Sequence, residues 1–300
     1  MDRLDSMAAF VAVAELRGFA AAARRLKLSP SAVTRSVAAL EERLGTRLLQ
    51  RTTRSVTLTD AGSRYLERAR RIVSDVAEAD GAAQAERTVP TGRFVVAAPT
   101  VFGRLHVAPL LCRFLKEYPA LSGELLLSDR LANLVEDGID AAVRIGVLAD
   151  SSLVARNVGV SRRVLIAAPK YLSRRKVPRR PEDLRGNEHD AIHCSALSAT
   201  AEWHFTRDGK VQRVPFTPRF STNSIDAAIA HAELGGGVTT VLAYQVVEAV
   251  RAGRLRVLLP EFELEPAPIQ VVYPTTRLLS AKVRAFVERA AGAGWRFVAL

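Results

Sequence analysis

Three hundred residues with 48% apolar content can bury a sizeable core and divide into two or three domains. A formal net charge of +12 and an isoelectric point near 10.4 point to a polyanionic partner or an anionic membrane surface. No run of about 18 uninterrupted apolar residues exists, which excludes a spanning helix. The opening MDRLDS is mixed in charge, and Glu15 and Arg17 close the apolar run behind it, so a signal peptide is not expected and the chain reads as cytoplasmic. Cys112 and Cys194 supply neither a disulfide framework nor a metal spacing.

Residues 20–44, AAAARRLKLSPSAVTRSVAALEERL, contain two short helices around a tight break. Ser29-Pro30 starts the second: a hydroxyl caps the first turn, and the missing N–H of proline costs nothing at the first helical position. Val33, Val37, Leu40 and Leu44 recur at steps of four, three and four and form one buried stripe. That spacing turns Ser31, Arg35, Ala38 and Glu42 outward, with Thr34 on the shoulder. A face opening with Ser, Thr and Arg suits phosphates and base edges in the major groove of duplex DNA. An αα-hairpin with a solvated polar face is the plain alternative.

In RLLQRTTRSVTLTDAG (47–62), Leu48–Arg51 and Ser55–Thr59 read as two short strands around Thr52, Thr53 and Arg54. Leu49, Val56 and Leu58 face inward, and the pair makes a small wing beside the helices. Between residues 17 and 64 there are ten basic residues against three acidic ones, the surplus that phosphate neutralisation needs. From Thr59 or Asp60 a long helix is expected to run to about residue 88, with Tyr65, Ala69, Ile72, Val76, Ala79 and Ala83 on an a/d seam suited to dimerisation. Its length would be roughly 40 Å. Pro90 and Gly92 break the pattern and mark a hinge at 89–92.

Beyond Arg93 the period changes. RFVVAA (93–98), GELLLS (123–128) and DAAVRI (140–145) read as strands, with a helix from Phe102 to Tyr118 and a short one near 130–137. This alternation indicates parallel α/β construction. A second block begins near Ser161 with RRVLIAAP and continues through AIHC (191–194), and Asp208-Gly209 marks a two-residue hairpin turn. A helix from Asn223 to Leu234 leads into GVTTVL; APIQVVYP (267–274) and a helix from Ser280 to Ala291 follow.

The run AFVAVAELRGFAAAARRLKLSPSAVTRSVAALEERLGTRLLQRTTRSVTLTDAG closely resembles the N-terminal winged helix-turn-helix of LysR-type transcriptional regulators. DAAVRIG (140–146), SSLVARNVG (151–159), LIAAPKYL (165–172), GGGV (235–238) and VYPTTRLLSAKVRAFV resemble the effector-binding domain of that family. Two features depart from it. Pro30 stands where many members carry a glutamine, and the tail AGAGWRFVAL (291–300) runs past the usual end. The resemblance implies an α/β protein overall. A mainly α winged helix-turn-helix (1–58) and a linker or dimerisation helix (59–88) would precede the hinge. A two-lobed effector domain (93–300), similar to type 2 periplasmic binding proteins, would follow, with lobe 1 at 93–160 and 267–300 and lobe 2 inserted at 161–266.

In such a layout the crevice between lobes is lined by carboxyl ends of strands and by helix starts, which favour anions. Thr100, Phe102, Arg144, Ser195, Asn223, Ser224 and Thr240 occupy those positions and are the candidate effector residues, with Phe102 as an apolar wall. Ser31, Thr34 and Arg35 are the candidates for base edges and nearby phosphates, and Arg51, Thr52 and Arg54 for the backbone at the wing. Tyr65, Ala69, Ile72, Val76 and Ala79 are the candidate dimer contacts.

Other motifs carry less. Gly235-Gly236-Gly237 follows a helix and precedes a strand, the reverse of a phosphate loop, and reads as a helix end with a close turn. His189, His193, Cys194 and His204 match no zinc spacing, and neither a GxSxG elbow nor an SxxK motif appears, so neither metal nor cofactor nor catalysis is expected. The basic run Lys170, Arg174, Arg175, Lys176, Arg179, Arg180 and Arg185 reads as a solvated surface interrupted by Pro178 and Pro181. The expectation is a cytoplasmic, nucleoid-associated regulator whose partners are duplex DNA, a small effector such as a carboxylate, and further copies of itself as a dimer or tetramer, without a membrane. The rivals are a small-molecule binding protein without regulatory DNA binding, which leaves the first third of the chain without a purpose, and an α/β enzyme.

Overall fold

A computed structural model describes residues 2–51, 56–84, 89–130, 132–147, 153–186, 188–274 and 280–299; for Arg51, Ser74, Asp75 and residues 77–84 the backbone alone is described. The chain divides into two compact units, Met1–Thr88 and Val89–Leu300.

The first unit contains α1 (Arg3–Leu16), α2 (Phe19–Leu26), α3 (Pro30–Leu44), β1 (Leu49–Arg51), β2 (Val56–Leu58) and α4 (Asp60–Gln84). Lys27, in the left-handed region at φ +54°, ends α2 and makes the tight break before α3. The Ser29 hydroxyl then accepts the Ala32 N–H at 3.2 Å with Pro30 in the first turn, and Gly45 at φ +64° closes α3. Val33, Val37 and Leu40 are fully buried, but Leu44 is 37% exposed. It is the last residue of the helix, and Gly45 turns the chain away before anything covers it.

Two side chains fasten the wing. Glu41 Oε1 accepts the N–H groups of Leu48 at 2.8 Å and Leu49 at 3.0 Å, tying β1 to α3. The Thr59 hydroxyl accepts the Gly62 N–H at 2.9 Å, capping α4, and donates to the Arg47 carbonyl at 2.9 Å. Position 62 must be glycine, because a Cβ there would lie 2.0 Å from the Leu48 carbonyl oxygen.

Helix α4 has 25 residues, so it spans about 37 Å. Its opening turns correct the expected seam. Ala69 is fully buried in the same cluster as Phe10 and Val33, with Leu66 beside it and Val73 packed against it. Tyr65 meets the edge of Phe10 at a ring separation of 5.6 Å. Tyr65 and Ala69 therefore serve the core of their own unit, because α1 lies where a partner helix was expected. Ile72 is 43% exposed and Val76 half-buried; the Ala79 side chain lies outside the described residues.

In the second unit a six-stranded sheet is ordered β15-β6-β14-β5-β3-β4. Its members are β3 (Gly92–Ala98), β4 (Leu121–Leu127), β5 (Ala141–Ile145), β6 (Leu153–Ser161), β14 (Ala267–Pro274) and β15 (Trp295–Phe297). β3 pairs in parallel with β4 and β5, while β14 runs antiparallel to both β5 and β6, so the sheet is mixed and not the all-parallel sheet expected. The second lobe holds β7 (Arg163–Ala167), α7 (Pro169–Leu172), β8 (Ala191–Cys194), β9 (Glu202–Arg207), β10 (Lys210–Pro215), β11 (Pro218–Thr222), α8 (Ile225–Glu233), β12 (Thr239–Leu242), α9 (Val247–Arg251) and β13 (Arg256–Leu258). β9 and β10 form the expected hairpin, with Asp208 at φ +51° and Gly209 at φ +73° in its turn.

Between β3 and β4 a helical stretch runs through α5 (Thr100–Phe102), a π turn (Gly103–Val107) and α6 (Ala108–Glu117). The helix expected near 130–137 is instead a set of turns, because the Asn133 side chain accepts the N–H groups of Val135 and Glu136 and competes with helical bonding. Helix α10 (Ala281–Ala291) covers the first lobe, where Phe286 packs edge-on against Phe94 and Phe114. Beneath it Lys282 Nζ lies 3.1 Å from Asp140 Oδ1, an ion pair whose side chains are 7% and 4% exposed.

The C-terminal tail, to which the sequence assigns no role, completes the sheet. β15 pairs in parallel with β6, and Gly159 admits it: a Cβ there would stand 2.1 Å from the Trp295 carbonyl oxygen. Trp295 and Phe297 press on Phe102, and Arg162 donates to the Val298 carbonyl at 2.9 Å.

Candidate functional site

On the first unit, α3 presents Ser31 and Arg35 exposed and Thr34 half-buried on one side. The Ser31 hydroxyl lies 3.0 Å from that of Ser29, so the cap orients it. The Thr34 hydroxyl donates to the Pro30 carbonyl at 2.9 Å, which spends its proton and leaves it an acceptor and a methyl group. These are the contacts a major groove uses: an acceptor for an amino group, a methyl for thymine, and the fork of Arg35 for guanine. Arg24, Lys27, Arg43, Arg47 and Arg64 are exposed, and among the described residues none of them is ion-paired. Arg25 is different, held by Glu15 at 2.6 Å. Thr52 and Arg54 lie outside the described residues, and of Arg51 only the backbone is described, at the end of β1.

The second unit contains a cavity of about 700 Å³ between its lobes. One wall comes from the carboxyl ends of β3 and β5 (Ala98, Pro99, Arg144–Val147) and the segment around Ser128–Arg130. The other comes from Ala196, Leu197, Ile225, Leu242, Tyr244 and Gln245. A volume in this range suits a metabolite, and strand ends facing a crevice are the usual ligand position of such folds.

Arg144 is the candidate that lines this cavity. Its Nη2 donates to the Ala132 carbonyl at 3.0 Å, which fixes the guanidinium half-buried, and burial draws its pKa below the ordinary arginine value. Tyr244 is buried, and desolvation pushes its hydroxyl far above the ordinary phenol range, so it stays a neutral O–H donor. Gln245 donates to the Tyr244 hydroxyl at 3.2 Å and accepts the Leu242 N–H at 2.8 Å, holding the phenol in place. Asp129 accepts the Thr100 N–H at 3.0 Å, which ties one carboxylate of the lining to backbone.

The other six candidates fall outside the lining, each for a local reason. Phe102 is fully buried, edge-on to Tyr244 at 5.0 Å and to Trp295 at 5.0 Å, so it supports the wall from behind. Ser224 caps α8, accepting the Ala227 N–H at 3.3 Å, and Asp226 in that first turn pairs with Arg104 at 3.6 Å. Exposed Asn223 precedes the cap and takes no part in the wall. The Ser195 hydroxyl turns to the Thr222 carbonyl at 3.5 Å, Thr240 lies within β12 opposite Leu165, and Thr100 heads its helix one residue past Pro99. Tyr244, Gln245, Ser128 and Arg130 were missed. Thr240 is the choice made from its place behind the triple glycine, near the start of β12, whereas Tyr244 stands two residues past the carboxyl end of that strand, where strand-end reasoning would find it.

Among the described residues no group of three or more His, Cys, Asp or Glu side chains is placed to hold a metal ion, and no helix is long and apolar enough to cross a membrane. A capped helix offering hydroxyls and arginine beside a two-stranded wing, on a chain whose second unit encloses a metabolite-sized cleft, defines a ligand-responsive DNA-binding regulator as a class.

Comparison with known proteins gives the family. Residues 4–63 match the bacterial regulatory helix-turn-helix protein model of the lysR family, and residues 87–294 match the LysR substrate binding domain. The HTH-type transcriptional regulator YhjC of Escherichia coli K12 is 35% identical over 302 residues, covering 97% of this chain and 98% of its own. The HTH-type transcriptional activator AaeR of the same strain is 32% identical, covering 96% and 93%. Among solved structures, CrgA, a LysR-type transcriptional regulator from Neisseria meningitidis, is similar with a TM-score of 0.61 and 30% identity, covering 97% of this chain and 98% of CrgA. The chain belongs to the LysR family of transcriptional regulators.

Proposed function

We propose that the protein is a homodimeric regulator, with dimers pairing into tetramers, that grips operator DNA through α3 and the wing and answers to a small carboxylate effector held between the two lobes. Ser31, Thr34 and Arg35 meet base edges or adjacent phosphates, while Arg51, Thr52 and Arg54 hold the backbone beside them. Ile72, Val76 and Ala79 carry the contact between two copies of α4. In the cleft, Arg144 supplies the counter-charge and the Tyr244 hydroxyl a neutral donor, with Ser128 and Arg130 at the edge.

The observation that carries this proposal is the fixed, half-buried Arg144 guanidinium in a metabolite-sized cavity whose opposite wall belongs to the other lobe. A ligand bridging Arg144 and Tyr244 binds one interlobe arrangement more tightly than another, and only such a difference in affinity can switch a regulator. At Arg144 itself a carboxylate fits, forming a charge-assisted, two-pronged pair with the partly desolvated guanidinium, while Asp129 and Asp137 also line the cavity.

Nuclease protection on chromosomal fragments, followed by gel-shift titration at two salt concentrations, tests the DNA half. Site-specific complexes should persist at the higher salt while non-specific ones fade. Screening carboxylates for a shift in that protection, with Arg144→Ala as control, tests the effector half. Protection that no fragment shows, with or without metabolites, would sink the regulatory reading; a carboxylate response unchanged in Arg144→Ala would move the effector elsewhere.

A further inference from the structure

The triple glycine and the basic run that begins at Lys170 belong to neither site above, yet the fold brings them together. A cavity of about 530 Å³ in the second lobe is walled by Lys170, Arg174, Arg175, Asp190, Arg219 and His231. It shares no lining residue with the interlobe cleft.

The glycines make the room. A Cβ at Gly236 would stand 2.3 Å from the His231 ring, and one at Gly235, where φ is +81°, would stand 3.1 Å from Lys170 Cε. The absence of those side chains leaves Lys170 and His231 their places in the wall, and His231 stacks on Phe220 at 4.2 Å. Asp190 sets the opposite side. Its Oδ1 takes Arg219 at 2.8 Å and its Oδ2 takes Arg175 at 3.3 Å, so one carboxylate aligns two guanidinium forks. Each fork has further N–H donors, since arginine carries five. Among the described residues Lys170 and Arg174 have no ion-pair partner.

Charge decides what the cavity takes. Four cations face one carboxylate and the carboxyl end of α8, which counts for about half a negative charge, leaving an excess of about two and a half positive charges. Compensating a helix end needs one cation, not four. We propose that this cavity binds a polyanionic small molecule of the phosphate or polycarboxylate class, as a second ligand site independent of the interlobe cleft. Its volume lies in the range of metabolite pockets, and paired guanidinium forks match the oxygens of phosphate and carboxylate. Donors converging on a concavity suit oxygens grouped on one small molecule, whereas a duplex strings its phosphates along a line.

Calorimetric titration of pyrophosphate and of citrate into the full-length protein, at fixed ionic strength, tests this, and the two probes distinguish phosphate from polycarboxylate chemistry. Saturable binding of at least one probe is expected, weakened about tenfold or more in Lys170→Ala/Arg174→Ala and unchanged in Arg144→Ala. Both replaced side chains are exposed, and Arg174→Glu alone should weaken binding in the same direction if the double variant folds poorly. Absence of saturable binding, or binding that survives both variants, overturns the proposal. So does binding lost only in Arg144→Ala, which would place the anion in the cleft. Weaker non-specific DNA binding by the double variant without saturable anion binding would assign these cations to DNA, and that also overturns it.

Discussion

In the N-terminal unit Arg24, Lys27, Arg35, Arg43, Arg47 and Arg64 stand exposed without an ion pair among the described residues, whereas in the C-terminal unit the largely buried Lys282 and Arg162 each close on a carboxylate. The difference separates two uses of one charge. A cation left in water costs little and stays available to a partner, so a surplus of them marks a surface for a polyanion. A cation drawn inside must be matched, and then it holds architecture. Arg162 illustrates the second use, with Nε and Nη2 each 2.7 Å from a Glu263 oxygen while Nη1 secures the tail. The small N-terminal unit relies on apolar packing, on the Ser29 and Thr59 caps and on Glu41.

The largest effect should come from breaking a matched pair. Lys282→Met removes the ammonium that lies beside the buried Asp140 carboxylate, whose Oδ2 still accepts the Val95 N–H at 2.7 Å. The C-terminal unit should lose about 3–5 kcal/mol in denaturant unfolding, while the N-terminal unit keeps its own transition. A loss under about 1 kcal/mol would mean that water reaches the pair and that the contrast between units is overdrawn.

Arg35→Ala is the converse experiment. Operator affinity should fall by about 1–3 kcal/mol, and stability should change by no more than about 0.5 kcal/mol. Equal loss on operator and random duplex would demote Arg35 to a phosphate contact; a large loss of stability would show that this cation is structural after all.

What the sequence disclosed follows the same division. α3 was legible because its signals are local: Ser29-Pro30 at its start and an apolar period behind them. Asp208-Gly209 announced its hairpin for the same reason. The cleft was legible only as a set of loops, because its wall is assembled from distant segments. Strand ends and helix starts pointed to the right places, yet the lining residues are Pro99, Ala196 and Ile225, each next to the polar neighbour chosen. Those neighbours were chosen for their hydroxyls, and backbone claimed two of them: Ser224 for a cap, Ser195 for the Thr222 carbonyl. Arg144 survived because backbone held its guanidinium without removing it from the cavity. The heptad in α4 misled at Tyr65 and Ala69, since a seam counted along one helix cannot reveal that α1 already covers it. The tail strand rests on a parallel pairing across more than a hundred residues, made possible by Gly159, and no local pattern announces it.

If the N-terminal unit is held by caps more than by ion pairs, then Thr59→Ala should cost about 1 kcal/mol there. Glu15→Gln, which releases the exposed Arg25 and the half-buried Arg70, should cost less, so the order of the two midpoints in thermal unfolding decides the matter. The reverse order would give surface pairing the larger share.

Acid should separate the units most finely. All five histidines lie in the C-terminal unit, at positions 106, 189, 193, 204 and 231. Burial holds His106 and His189 below the ordinary imidazole value of 6.5. His106 sits among Phe102, Tyr244 and Phe297, and its Nε2 is buried without a hydrogen-bond partner. The unfolded chain therefore takes up protons near pH 6.5 that the folded one still refuses. Stability from these two groups is complete above that pH and declines as the pH drops below it. Melting of the C-terminal unit should shift downward between pH 6.5 and 5, and His106→Phe should flatten the decline while leaving the melting temperature at pH 7.5 unchanged or higher. An identical decline in His106→Phe would assign the effect to His189. A decline of equal size in the N-terminal unit, which has no imidazole to titrate, would mean that the carboxylates dominate and that the two units do not differ in this respect.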